Sequence, residues 1–386
     1  MHKIRLLIAF IAATAILASG CSSGRPPGEW ALLDPGTGDA FYSVNFVDEN
    51  TGWLNGQTDR SFKEYEEEGN ANGNANGNAN RSAKPARPGE KEEDPLKANQ
   101  GFEVLQTTDG GITWQQIKDQ FKYKIRSVWF VAPQTGWALT IDRDILNTTD
   151  GGQTWALQRK AGTITLKLFG NRRQPEMQQP EQIDRIHFVD ARHGWAWGGG
   201  RKDQYTEQPG TFLITVDGGQ SWNAVTYPFE QNVSDIFFLD KDHAWASTMD
   251  GSFYRTVDGG LNWSKVQTKL PEDVFRAIFF VDENNGWIVG RSGRLAKTTD
   301  GGRTWLKMYK IRDHYRMRDI FFADRNRGWA VGEGGAILYT PDGGESWLDV
   351  SAPSSADFID VVFVSPTSGW AVGLAGAVLK FQPQEG

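Results

Sequence analysis

A hexapeptide, Asp-Gly-Gly-x-[Thr/Ser/Asn]-Trp, occurs six times, beginning at Asp109, Asp150, Asp217, Asp258, Asp300 and Asp342. A second mark, Gly-Trp or Ala-Trp, precedes each copy at Trp53, Trp137, Trp195, Trp245, Trp287 and Trp329, and stands alone a seventh time at Trp370. The last four of these marks lie about 42 residues apart, the length of one four-stranded propeller blade. Self-similarity at that period constrains the architecture before any residue is read for chemistry.

The fifth repeat shows the unit. Phe275–Val281 reads as a strand rich in aromatic and β-branched residues, Asp282–Gly286 as a turn, and Trp287–Gly290 as a second strand. Arg294–Thr299 and Thr304–Met308 read as the third and fourth strands. The recurring Asp can accept backbone N–H bonds two residues on, the glycines permit positive φ, and the Trp buries a large surface between blades. Such aspartates are turn residues and poor catalytic candidates.

Seven first strands are recognisable by their apolar pairs, Val44/Phe46, Val128/Phe130, Ile186/Phe188, Ile236/Phe238, Ile278/Phe280, Ile320/Phe322 and Val361/Phe363. Only six hexapeptides follow them, and the seventh repeat ends after its third strand, Ala377–Phe381. Trp30-Ala31-Leu32-Leu33 matches the fourth strand at Trp155-Ala156-Leu157-Gln158. The expected fold is therefore all-β, a seven-bladed β-propeller of four-stranded antiparallel blades. Its N-terminal strand closes the last blade and removes the open edges.

Strand alternation sorts the turns onto two ends. The Asp-Gly-Gly turns share one end, the bottom. The loops joining second to third strands, and blade to blade, share the other, the top. Three long irregularities fall on the top. Residues 57–101, with Asn/Ala/Gly repeats and few apolar side chains, read as a disordered insertion at about 58–100. The others are 159–182, between blades two and three, and 199–210, within blade three.

Residues 1–20 read as a signal peptide: a basic start at His2, Lys3 and Arg5, an apolar run from Leu6 to Ala18, then small residues into Cys21. This segment resembles a bacterial lipoprotein signal, which implies that Cys21 is the lipid-attachment site and residues 21–28 a tether. The propeller then occupies 29–386. Export to the periplasmic side of a bacterial membrane follows, or to the thylakoid lumen in a photosynthetic host. A net charge of −7 argues against a general nucleic-acid binder. Five His without ligand spacing and a single Cys give no metal pattern, and no cofactor is expected.

The binding candidates are basic. Arg126, Arg276 and Arg318 each lie four residues before the strand-one Phe, and Arg185 lies one place off the series. Lys124, in the segment entering blade two, and Tyr315 and Arg316, in the segment entering blade six, interleave charge with aromatics. Guanidinium groups near a channel mouth suit an acidic peptide, a carboxylate or an anionic glycan. A glycoside-cleaving alternative needs paired carboxylates, for which Asp142, Asp144, Asp250 and Glu333 are available on or near top loops.

The hexapeptide resembles the Asp-box of sialidases and related propellers. The whole repeat, with the N-terminal Trp strand and a lipoprotein-like leader, resembles the photosystem II assembly/stability factor family over residues 28–381, insertions apart. The C-terminal run Gly373–Phe381 resembles that family's ending. The resemblance implies a seven-bladed, non-enzymatic assembly factor with an arginine-rich surface, to which Arg126, Arg276 and Arg318 would correspond. A monomer binding a protein or peptide partner, anchored to a membrane by lipid, is the leading expectation. A glycan-binding protein or glycoside hydrolase of the Asp-box type is the alternative.

Overall fold

The computed structural model describes residues 26–57, 103–117, 125–168, 177–200, 206–207, 210–268, 274–310, 316–350 and 352–384. The leader, Cys21, Lys124, Tyr315 and the 58–100 insertion lie outside the described residues.

Seven four-stranded antiparallel sheets follow one another along the chain. In blade five the strands are Phe275–Phe280, Gly286–Gly290, Arg294–Thr298 and Leu306–Lys310. The fourth starts two residues later than its sequence suggests, because Thr304 belongs to the turn: its N–H and hydroxyl both donate to Asp300. Blade seven takes its outer strand from the N-terminus, Gly28–Leu33, paired with Val378–Pro383. Trp30 faces Phe381 and Leu32 faces Leu379, the register that Leu157 keeps with Leu146 in blade two. Closure by the N-terminal strand is thus as the repeat count implies.

The bottom turns repeat one hydrogen-bond set. The Asp carboxylate accepts the N–H of the residue four places on, at 2.8 to 2.9 Å, rather than two places on. The threonine two places before each Asp accepts the N–H of the second glycine. The first glycine, with φ near +70° in every copy, donates to the turn joining strands one and two. That φ is why a side chain is not tolerated there.

The tryptophan of Gly/Ala-Trp, and not that of the hexapeptide, is the main pin between blades. All seven are fully buried. Each stacks on the strand-one Phe of the next blade; Trp53–Phe130, at 3.6 Å and 2°, is typical. Five also donate Nε1–H to the first-glycine carbonyl of the next blade's turn, as Trp287 does to Gly343 at 2.9 Å. The preceding glycine makes room for the ring, since a Cβ at Gly286 would lie 2.4 Å from Phe280. Blade four has Ala244 there, and its Trp195–Phe238 stack opens to 4.0 Å and 20°. The hexapeptide tryptophans are only half-buried, and their Nε1 atoms find no acceptor among the described residues.

The two shorter top insertions are not separate loops. Thr163–Leu168 pairs with Met177–Pro180 and, further along, with Thr206–Glu207 from within blade three, forming an additional three-stranded sheet. Its base is fixed by Glu181, which accepts Arg159 Nη2 at 2.7 Å and the Gly162 N–H at 2.9 Å.

Candidate functional site

The channel mouth is built by the first strands, and a β-bulge decides which side chains reach it. In blades two, five and six the ladder skips one residue: Arg126, Arg276 and Arg318. A bulge re-aims the extra residue. The three arginines of the sequence series therefore share one structural position. Counting two places before the strand-one aliphatic, the same position holds Tyr42 in blade one, Asp184 in blade three, Ser234 in blade four and Ile359 in blade seven. Arg185 lies one place inward, opposite Trp197.

Asp184 organises the side of the mouth at blades two and three. Its Oδ1 accepts Arg126 Nη1 at 3.0 Å and Arg143 Nη1 at 2.6 Å, while Arg185 donates to its backbone carbonyl at 3.1 Å. Burial pushes the Asp184 pKa up, but Arg126, Arg143 and Arg185 together outweigh it and hold the carboxyl below its ordinary range. Tyr42 donates its hydroxyl to the Arg126 carbonyl. Burial raises the Tyr42 phenol to about 12 against the pull of Arg126 and Arg185, so it stays protonated. Arg143 was not among the sequence candidates. It lies on the loop between strands two and three, outside the strand-one series, and only the fold brings it to Asp184.

Blade six is arranged differently. The Arg318 side chain is 6% exposed and its Nη2 meets Glu333 Oε1 at 2.8 Å. Arg316 is exposed, with Nε 3.9 Å from Glu333 Oε2. The mouth therefore mixes signs and is not a uniform basic patch.

Below the bulges, three buried aspartates tie inner strands together. Asp235 accepts the Ile278 N–H, Asp319 the Val361 N–H and Asp360 the Val44 N–H, each across a blade boundary. Two places further along each first strand, on the same face, lie Asn45, Trp129, His187, Phe237, Phe279, Phe321 and Val362, none more than 4% exposed. Neighbouring rings of this belt touch, as in Trp129–His187 at 5.1 Å and Phe279–Phe321 at 4.9 Å. The belt makes a buried, largely aromatic floor under the mouth. Burial drives the His187 pKa down to about 3, so this imidazole is neutral at physiological pH. The other described histidines, His193 and His243, bond to Asp190 and Asp240 in bottom turns.

The carboxylates proposed for glycan cleavage have local partners. Asp144 accepts the Ala161 N–H, Asp250 accepts Thr248 and Ser252 within its own loop, and Glu333 pairs with Arg318. Asp142 is exposed on its loop. Among the described residues no group of three or more His, Cys, Asp and Glu could hold a metal ion, and no helix is long and apolar enough to cross a membrane.

Residues 214–310 and 306–382 match the family model of the Photosynthesis system II assembly factor YCF48. The matched residues, somewhat less than half of the chain, are similar to the repeats of the photosystem II assembly factor family. The matched span begins in the third strand of blade three and runs to the closing strand pair. Solved structures of that family share the architecture. YCF48 bound to a D1 peptide is 18% identical with a TM-score of 0.63, over 95% of this chain and 100% of that one. YCF48 from Cyanidioschyzon merolae is 19% identical with a TM-score of 0.63, over 92% and 100%. A streptogramin B lyase structure is 10% identical with a TM-score of 0.58, over 92% and 97%. Likeness at these identities is a likeness of fold. Among curated proteins there is no sequence match.

Proposed function

We propose that this protein is a non-enzymatic assembly scaffold that holds a protein or peptide partner at its top mouth, as a relative of the photosystem II assembly factors. The observation that carries the reading is the convergence of three arginines on Asp184, Arg126 and Arg143 on its carboxylate and Arg185 on its backbone carbonyl, above a buried, largely aromatic floor. Guanidinium groups held in place by a carboxylate are pre-organised for a second one, so an acidic segment is the partner chemistry that fits. The peptide complex known for YCF48 supports the choice of a peptide over a glycan.

The scaffold acts as a monomer, tethered through a lipid on Cys21. Gly28 starts the closing strand at the end of blade seven where other blades carry their bottom turn. A tether leaving there puts the membrane on the bottom and the mouth away from it. In a photosynthetic host that membrane is the thylakoid and the mouth faces the lumen.

Charge reversal of Arg126, Arg276 and Arg318 to Glu is the test. The triple variant should lose its partners in a pull-down from host membranes, and the milder Arg126→Gln/Arg276→Gln pair, which leaves the buried Arg318–Glu333 pair intact, should lose them while keeping the wild-type melting transition. Retention of the same partners would overturn the scaffold reading. In the same cells, palmitate labelling should disappear in Cys21→Ser, and labelling that persisted would remove the tether.

A further inference from the structure

Among the described residues, Arg143 and Ala375 are the two non-glycine residues with positive φ, at 68° and 53°. Arg143 closes the loop between strands two and three of blade two, donating its N–H to the Thr140 carbonyl. The same bond in blades four and five is made by Gly251, with φ 80°, and Gly293, with φ 70°. The position therefore calls for glycine, and an L side chain there costs stability. Ala375 brings no polar group to its strained site. Arg143 brings a guanidinium, 2.6 Å from Asp184 and with 24% of its side chain exposed at the mouth.

Neutralising Asp184 does not account for this strain. Arg126 already meets the same carboxylate oxygen at 3.0 Å, and Arg185 also lowers the Asp184 charge energy. Nor is the loop loose: Asp144, the next residue, donates to and accepts from Thr140, and its carboxylate accepts the Ala161 N–H at the foot of the additional sheet. The strained residue is held by a rigid frame. On the same loop Ile141 leaves 39% of its surface exposed.

We infer that Arg143 is a specificity-determining ligand residue, which grips a glutamate or aspartate side chain of the partner while an apolar neighbour of that side chain rests on Ile141. The inference rests on the scaffold reading above and adds to it the recognised chemistry: an acidic residue flanked by apolar ones. The strain at Arg143 is then retained for binding, and glycine, the residue the backbone prefers, would be better for the fold and worse for the function.

The experiment compares wild-type protein with Arg143→Gly. The probes are two fluorescein-labelled pentapeptides, one with Glu between two Leu and one with Gln in its place, read by fluorescence anisotropy at low salt. Wild type should bind the Glu peptide at least about fivefold more tightly than the Gln peptide, since a charge-assisted contact is at stake. Arg143→Gly should bring the ratio near one and raise the Tm by about 2 °C. A variant that kept the Glu preference, or that melted below wild type, would overturn the inference. So would a wild type without preference. The pull-down judges the scaffold reading separately, because it reads capture of host partners and not discrimination between the two peptides.

Discussion

Trp287 and Trp329 hold the same place in adjacent blades, and their indoles are treated differently. Trp287 stacks on Phe322 at 3.5 Å and 8°, and gives its N–H to the Gly343 carbonyl in the turn of blade six. Trp329 meets Phe363 at 4.2 Å and 24°, and its N–H finds no acceptor among the described residues. The cause is the missing seventh hexapeptide. Blade seven is closed by two chain ends, which cannot make the continuous turn that carries that carbonyl. Phe381 stands where the other blades have the turn-organising threonine, and Trp30 packs on both Phe381 and Phe363. An aromatic clamp replaces a hydrogen-bonded turn. Trp53 also lacks an acceptor although the next blade has its turn, and nothing in the structure explains that.

The largest way to break the comparison is to remove the clamp. Deleting residues 28–33 strips blade seven of its outer strand and exposes an edge and the Phe381 ring. Calorimetry should show the single cooperative transition lost or split, and an unchanged transition would mean that closure contributes nothing. A smaller effect separates the two indoles. Trp287→Phe and Trp329→Phe lose similar ring area, but only the first orphans a bonded carbonyl. Its unfolding free energy should fall by about 1 kcal/mol more in urea titrations. Equal losses would show that the N–H bond does not distinguish the two boundaries.

The smallest effect is one of pH. Hydrogen bonds from Thr113 hold the Asp109 pKa down to about 2, and those from Ser221 do the same for Asp217. A carboxylate with a depressed folded pKa contributes stability that is complete above its ordinary value and is lost as pH falls through the folded one. Melting temperature should therefore begin to fall below about pH 6.5, where the unfolded chain protonates His187 and the folded one keeps it neutral, and should fall more steeply from about pH 4 toward pH 2 as these aspartates add their loss. Asp109→Asn should flatten that decline slightly, since these aspartates are exposed and each contributes little. Blade seven has no such turn and should add nothing to the slope.

Much of the fold was legible in the primary structure because a propeller repeats one solution. Each blade uses the same positions for a core Phe, a glycine (alanine in blade four) beside it and a tryptophan against the next blade, so seven imperfect copies cross-check one another. The closing role of Trp30 was legible for the same reason. The tryptophans were harder. Repetition marks both kinds as structural, but which one lies between blades depends on the side of the sheet each faces.

The site was legible only along a single strand position. Arg126, Arg276 and Arg318 could be aligned by counting, whereas Asp184 and Arg143 could not be joined to Arg126 that way. Asp184 was hidden because it breaks the arginine series, and Arg143 because it occupies a loop position that glycine fills elsewhere. The pairing of two insertions into an additional sheet was hidden because their strands come from different blades.

The amino-acid order alone determined the blade count, the ring closure and the structural nature of the recurring aspartates, since these follow from spacing and local turn chemistry. The tertiary structure decided which charges face one another, which arginine is buried and which backbone is strained. Those depend on neighbours brought together around the channel from blades far apart in the chain, and no local pattern records them.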